Sequence, residues 1–94
     1  MTDSARRSSL ILPVNVPKFV ERAWTRNADA IVLDLEDSVP PREKPNARTG
    51  VQEAIKTASR GGSDVLVRIN KPFELAVPDL DSAIWPCLTG IVFP

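Results

Sequence analysis

The chain has 94 residues, which is room for one small domain. Hydrophobic residues make up 43% and twelve basic side chains balance twelve acidic ones, so nothing in the charge points to nucleic acid or to an anionic membrane surface. One cysteine, Cys87, excludes an internal disulfide and a cysteine zinc cluster, and the reading is of a reducing, cytoplasmic protein. Histidine is absent, so any catalysis within the chain rests on carboxylates, lysine, arginine or backbone groups.

Met1–Ser9 is polar, with Arg6 and Arg7, and no long apolar core follows, so no signal peptide is expected. No apolar run approaches the roughly 18 residues of a spanning helix. Strand-like runs follow at Ser9–Leu12, Ala30–Leu35, Val65–Ile69 and Ile91–Phe93. Helical or loop material separates them, and that alternation points to βα units and a parallel sheet.

The first helix is expected to open near Pro17, where a missing N–H needs no partner. Its apolar face is Val16, Phe19, Val20, Ala23 and Trp24, and Asn27 stops it. A second helix is expected from Pro45, with Ala47, Val51, Ala54, Ile55 and Ala58 as its inner stripe. Gly50 falls inside it, at about 1 kcal/mol relative to alanine, and Gly61–Gly62 ends it. Pro72, Pro78 and Pro86 confine a third helix to about Asp79–Trp85, with Asp79 as its cap. Trp24 and Trp85 read as packing, and Cys87 as a small buried residue. The last strand runs into Pro94 with no helix to cover it, so the chain reads as truncated.

Ala30–Leu35 is the most informative stretch. It is strongly apolar, then gives Glu36 and Asp37 directly after the strand and Pro40–Pro41 beyond. Along it, Ile31, Leu33 and Leu35 share one face, and Val32, Asp34 and Glu36 the other. In the third strand Val65, Val67 and Ile69 oppose Leu66, Arg68 and Asn70. The apolar faces would lie under helices, and the mixed faces would line a barrel interior or crevice. Two neighbouring strands thus bring carboxylates and a guanidinium to their carboxyl ends, where α/β proteins bind ligands.

Five segments carry a family resemblance. They are Arg7-Ser8-Ser9-Leu10-Ile11-Leu12-Pro13, Ala28-Asp29-Ala30 leading to Leu33-Asp34-Leu35-Glu36-Asp37-Ser38-Val39-Pro40, Lys44 with Ala47-Arg48, Val67-Arg68-Ile69-Asn70, and Gly90-Ile91-Val92-Phe93-Pro94. In that order they resemble the citrate lyase beta-subunit family, part of the aldolase and citrate-lyase-like (β/α)8 barrels. The resemblance implies an α/β fold, with residues 1–94 forming the first four βα units of a TIM barrel that is incomplete here. It also implies a Mg²⁺-dependent lyase that breaks or forms a carbon–carbon bond next to a CoA-type thioester of a hydroxy acid, citryl- or malyl-like. The family's metal ligands lie on later strands, so the chain is expected to hold none and to be inactive alone. The full-length form is expected to be a homo-oligomer. One departure is Val14, where many relatives have glycine after the first motif's proline.

Arg68 and Asn70 are the candidate substrate-binding residues. An inward arginine is costly unless paired, and its fork suits a carboxylate. The resemblance makes Arg68 the binder of the substrate carboxylate; its other reading is an ion pair with Asp34 or Glu36. Asn70 either meets ligand or caps its loop. Glu36 and Asp37 are the catalytic candidates, holding metal-bound waters or orienting substrate; the alternative is pairing with Lys44 or Arg48. Asp37 stands where the pyruvate-type aldolases carry histidine, which points to the lyase branch. Asp34 reads as a structural acid, and Lys44 and Arg48 as salt-bridge partners. A catalytically inactive half-barrel that serves as an interaction module or is vestigial, and a flavodoxin-like domain, are the competing assignments.

Overall fold

The alternation of short apolar runs and helical stretches becomes a four-stranded parallel sheet in the computed structural model, which describes residues 8–94. Arg7 of the first motif and most of the polar leader lie outside the described residues. The strands are β1 (Ser9–Pro13), β2 (Ala30–Asp34), β3 (Asp64–Arg68) and β4 (Gly90–Val92). Their spatial order is β1-β2-β3-β4, the order of the sequence. A flavodoxin-like sheet reverses direction at a switch point; this one does not.

The register sets Ile31 beside Val65 and Leu33 beside Val67. All four are fully buried, as are Leu35 and Ile69 just beyond the strands. They meet Val20 and Ala23 of α1 (Pro17–Ala23), Val51, Ala54, Ile55 and Ala58 of α3 (Val51–Ala58), and Ala83 of α4 (Phe73–Ala83) in one core. The helices cover one face of the sheet. On the opposite face Ile11 pairs in register with Val32, and Val32 with Leu66; Ile11 is 57% exposed. The division of each strand into an apolar and a mixed face is therefore present as the alternation implied.

Three helical expectations need correction. The stretch expected as one helix from Pro45 is two, α2 (Lys44–Arg48) and α3, and Gly50 precedes α3 instead of lying within a helix. The amides of Thr49 and Gly50 fold back on Asn46 and Ala47, closing the first helix before the second begins. The third helix is longer than the prolines suggested. It starts directly after Pro72, whose carbonyl accepts from the amides of Leu75 and Ala76, and it contains Pro78. Asp79 is consequently an interior residue, fully buried, and not a cap. Cys87 is exposed, not buried, because α4 stops at Ala83 and leaves it in the Pro86–Cys87 turn, where its φ is +77°.

The other boundaries follow the expected chemistry. Pro17 opens α1, and Asn27 ends the following 3₁₀ turn (Trp24–Arg26) in the left-handed conformation at φ +56°. Gly61 is required by a close approach: a Cβ there would stand 2.5 Å from the carbonyl oxygen of Trp24. The half-buried Trp24 packs against the core, while Trp85 is 40% exposed and donates its indole N–H to the Ser82 carbonyl.

Candidate functional site

β2 and β3 end side by side, with Asp34 opposite Arg68 in register. The Arg68 Nε donates to Asp34 Oδ1 and its Nη2 to Oδ2, both at 2.8 Å. The chain then turns at Leu35 and Asp34 caps that turn. Its Oδ1 accepts from the Glu36 amide at 2.9 Å, and its Oδ2 from the amide and hydroxyl of Ser38 at 2.8 and 2.7 Å. A carboxylate accepting an N–H two residues on is the local bond that aspartate favours in turns. Asp34 is fully buried, yet both oxygens are saturated.

The electrostatics follow from that geometry. Burial works against the Asp34 charge and is the largest single influence, but the Arg68 fork, the amides of Ser38 and Glu36 and the Ser38 hydroxyl together outweigh it. The carboxyl is held well below the usual carboxylate range. Arg68 is pushed up, chiefly by its hydrogen bonds to Asp34, against the cost of burial and with help from the charges of Asp34, Glu36 and Asp37. Because the folded form of Asp34 binds its proton less readily than an unfolded aspartate near ~3.9, its stabilisation is complete above that value and fades as the pH falls below it. Chemical denaturation at stepped pH should therefore show stability dropping below about pH 4. Unfolding midpoints that stay level from neutral pH to pH 3 would contradict the pairing.

Glu36 lies beside the pair, its Oε1 3.6 Å from Arg68 Nε, with the side chain 30% exposed. Asp37 is exposed on the turn. Arg68 is itself 23% exposed. A guanidinium has five N–H donors. Asp34 takes the Nε edge, so the edge between Nη1 and Nη2 remains for a second carboxylate. The structure thus realises the Arg68–Asp34 ion pair and brings Glu36 to it, and it leaves Arg68 a donor edge as well.

Behind the pair runs a second polar network. Lys44, nearly buried at the start of α2, donates to the carbonyls of Leu35 and Glu36 at 3.1 and 2.6 Å. Backbone oxygens, not an acidic side chain, are its partners, which corrects the salt-bridge expectation. Asn70, 4% exposed, donates its side-chain amide to Leu35 O at 2.9 Å and to Asp79 Oδ2 at 2.7 Å. Its backbone amide also donates to Asp79 Oδ2, at 2.8 Å. Arg48 Nε completes the network on Asp79 Oδ1 at 2.7 Å. Asn70 accordingly ties the end of β3 to the end of β2 and to α4. Over the end of β1, Asn15 donates to Glu43 Oε1 at 2.7 Å.

Ser38 and Asp79 carry much of this geometry and the sequence reading missed both roles. The spacing of Asp34 and Ser38 around a turn was a usable signal; nothing local marks Asp79. Among the described residues no group of three histidine, cysteine, aspartate or glutamate side chains could hold a metal ion. With Asp34 saturated by donors, these residues do not by themselves fit a Mg²⁺ site. No helix among the described residues is long and apolar enough to cross a membrane.

Residues 7–94 match the family model described as HpcH/HpaI aldolase/citrate lyase. The chain is 45% identical over 65 residues to citrate lyase subunit beta of Leuconostoc mesenteroides subsp. cremoris, covering 69% of this chain and 22% of that protein. It is 38% identical over 79 residues to an L-malyl-CoA/beta-methylmalyl-CoA lyase of Cereibacter sphaeroides, covering 84% and 22%. A (3S)-malyl-CoA thioesterase of the same species is 39% identical over 64 residues, covering 68% and 22%. The chain spans about a fifth of the length of these relatives. With the match running across nearly all of its residues, the chain belongs to the HpcH/HpaI aldolase/citrate lyase family.

Proposed function

We propose that residues 1–94 are the N-terminal portion of a (β/α)8 barrel lyase that cleaves or forms a carbon–carbon bond in CoA-type thioesters of hydroxy acids. The observation that carries the reading is the Nη1/Nη2 edge of Arg68, which the Asp34 fork leaves without a carboxylate partner among the described residues. That edge suits the free carboxylate of a malyl- or citryl-type acyl group. The sequential four-strand sheet, with the helices of the described residues on one face, supports a half of such a barrel. Names among the relatives pair the same acyl group with both a lyase and a thioesterase, so the two activities share a need to hold malyl-CoA.

In this reading Arg68 binds and orients the substrate carboxylate, and Asp34 fixes the guanidinium. Glu36 and Asp37 act from outside any metal's own ligand set, holding its waters or the substrate. Asn70 takes part through the loop it holds. Mg²⁺ would supply charge stabilisation at the thioester's reacting end, with ligands from outside this chain. A homo-oligomer of the full-length form, a cytoplasmic setting, and no nucleic-acid or membrane partner belong to the same reading.

The 94-residue chain alone is then expected to show no turnover with malyl- or citryl-CoA and Mg²⁺, whereas the full-length protein carrying it should cleave one of them. Turnover by the isolated chain at an ordinary enzyme rate, roughly 1 s⁻¹ or more, would overturn the assignment of this segment as an incomplete part. Ile11 at 57% exposure and the outer edges of β1 and β4 favour a second reading, an inactive half-barrel that associates with a partner. Absence of cleavage by the full-length protein would favour it.

A further inference from the structure

The two buried arginine–aspartate contacts have different geometries. Arg68 meets Asp34 through two nitrogens and two oxygens. Arg48 meets Asp79 through Nε alone, and its Nη2 is buried with no hydrogen-bond partner among the described residues. The oxygen a second bond would use, Asp79 Oδ2, instead accepts both the backbone and side-chain amides of Asn70. A contact selected for stability alone would close both prongs, since an unpaired buried donor costs free energy. Asp79 divides its two oxygens, Oδ1 to Arg48 and Oδ2 to Asn70 at the end of β3.

That end matters. Asn70 lies two residues beyond Arg68, and its side chain also holds the carbonyl of Leu35, the residue between Asp34 and Glu36. One carboxylate on α4 therefore fixes both strand ends that present Arg68 and Glu36. We propose that Asp79 is a positioning residue: through Asn70 it sets the relative placement of the β2 and β3 ends, so that Arg68 and Glu36 stand together at the strand ends. The inference rests on the reading of Arg68 as the substrate-carboxylate site. Asp79 itself touches no substrate.

The test uses the full-length protein with malyl- or citryl-CoA, whichever it cleaves. Asp79→Asn puts an amide where donors now point, and KM should rise roughly tenfold with kcat changed much less, since a small misplacement of a binding group is costly. Ile55→Val, in the core of α3 and remote from the network, is the stability control: it should lower the melting temperature and leave KM alone. Should Asp79→Asn not fold, Asn70→Ala should reproduce the KM rise. A lowered melting temperature with unchanged KM in Asp79→Asn, or an unchanged KM in Asn70→Ala, overturns the proposal. Arg68→Ala separates the two ideas. If it leaves KM unchanged, the carboxylate site itself is wrong; if it raises KM and Asp79→Asn does not, only the positioning role fails.

Discussion

Asp34→Ala should destabilise the fold by about 3–5 kcal/mol, the usual effect of removing one partner of a buried ion pair. The loss is large because several groups depend on that carboxylate. Arg68 Nε and Nη2, the amides of Glu36 and Ser38, and the Ser38 hydroxyl all lose their acceptor at once. Domains of ordinary size have a total stability of roughly 5–15 kcal/mol, so such a loss approaches the whole. Asp34→Asn should be nearly as harmful. Its amide nitrogen would replace one oxygen and face N–H donors, with only the Ser38 hydroxyl able to turn and accept. Urea unfolding of the wild-type chain and both variants checks this. A shift below about 1 kcal/mol in Asp34→Ala would mean that the turn after β2 holds without its aspartate.

The same residues show how far the sequence was legible. Period-two alternation in Ala30–Leu35 and Val65–Ile69 identified the strands, their buried faces and the polar ends that meet in the site, because a strand's side chains have only two directions to point. The pairing of Asp34 with Arg68 needed one further fact, the register, which sequence does not print. The break at Thr49–Gly50 was hidden because Ala47 of α2 and Val51 and Ala54 of α3 all face one core. The apolar stripe therefore runs across the break as though one helix carried it. Pro78 misled in the opposite sense. Proline removes one helical hydrogen bond, but α4 is held on both sides of it, by the Pro72 carbonyl before and by Asp79 on Asn70 and Arg48 after. Contacts between residues 31 apart, as between Arg48 and Asp79, leave no trace in local pattern.

Arg68→Lys should separate the two duties of this side chain. Lysine keeps the charge but offers one ammonium where arginine offers a planar fork. It can reach an Asp34 oxygen, so the buried carboxylate keeps a cationic partner. The fold should lose about one hydrogen bond's worth, roughly 1 kcal/mol. Substrate binding has no such reserve. An ammonium held by Asp34 has no second planar edge, so the two-pronged bond to the substrate carboxylate is lost together with its orientation. In the full-length protein kcat/KM should fall by about 2–3 kcal/mol, near the upper end for a charge-assisted hydrogen bond. That corresponds to roughly 30- to 150-fold, carried mainly in KM. Thermal melting and steady-state kinetics on the same preparations supply both numbers. If melting falls steeply while kcat/KM of the remaining folded enzyme is unchanged, Arg68 serves β2 and β3 alone. The carboxylate site must then be sought elsewhere at the strand ends. If activity falls roughly 30-fold or more while the fold loses only about 1 kcal/mol, the side-on edge serves the fold and the end-on edge holds the substrate. That division of one guanidinium is what the 2.8 Å fork on Asp34 leaves open.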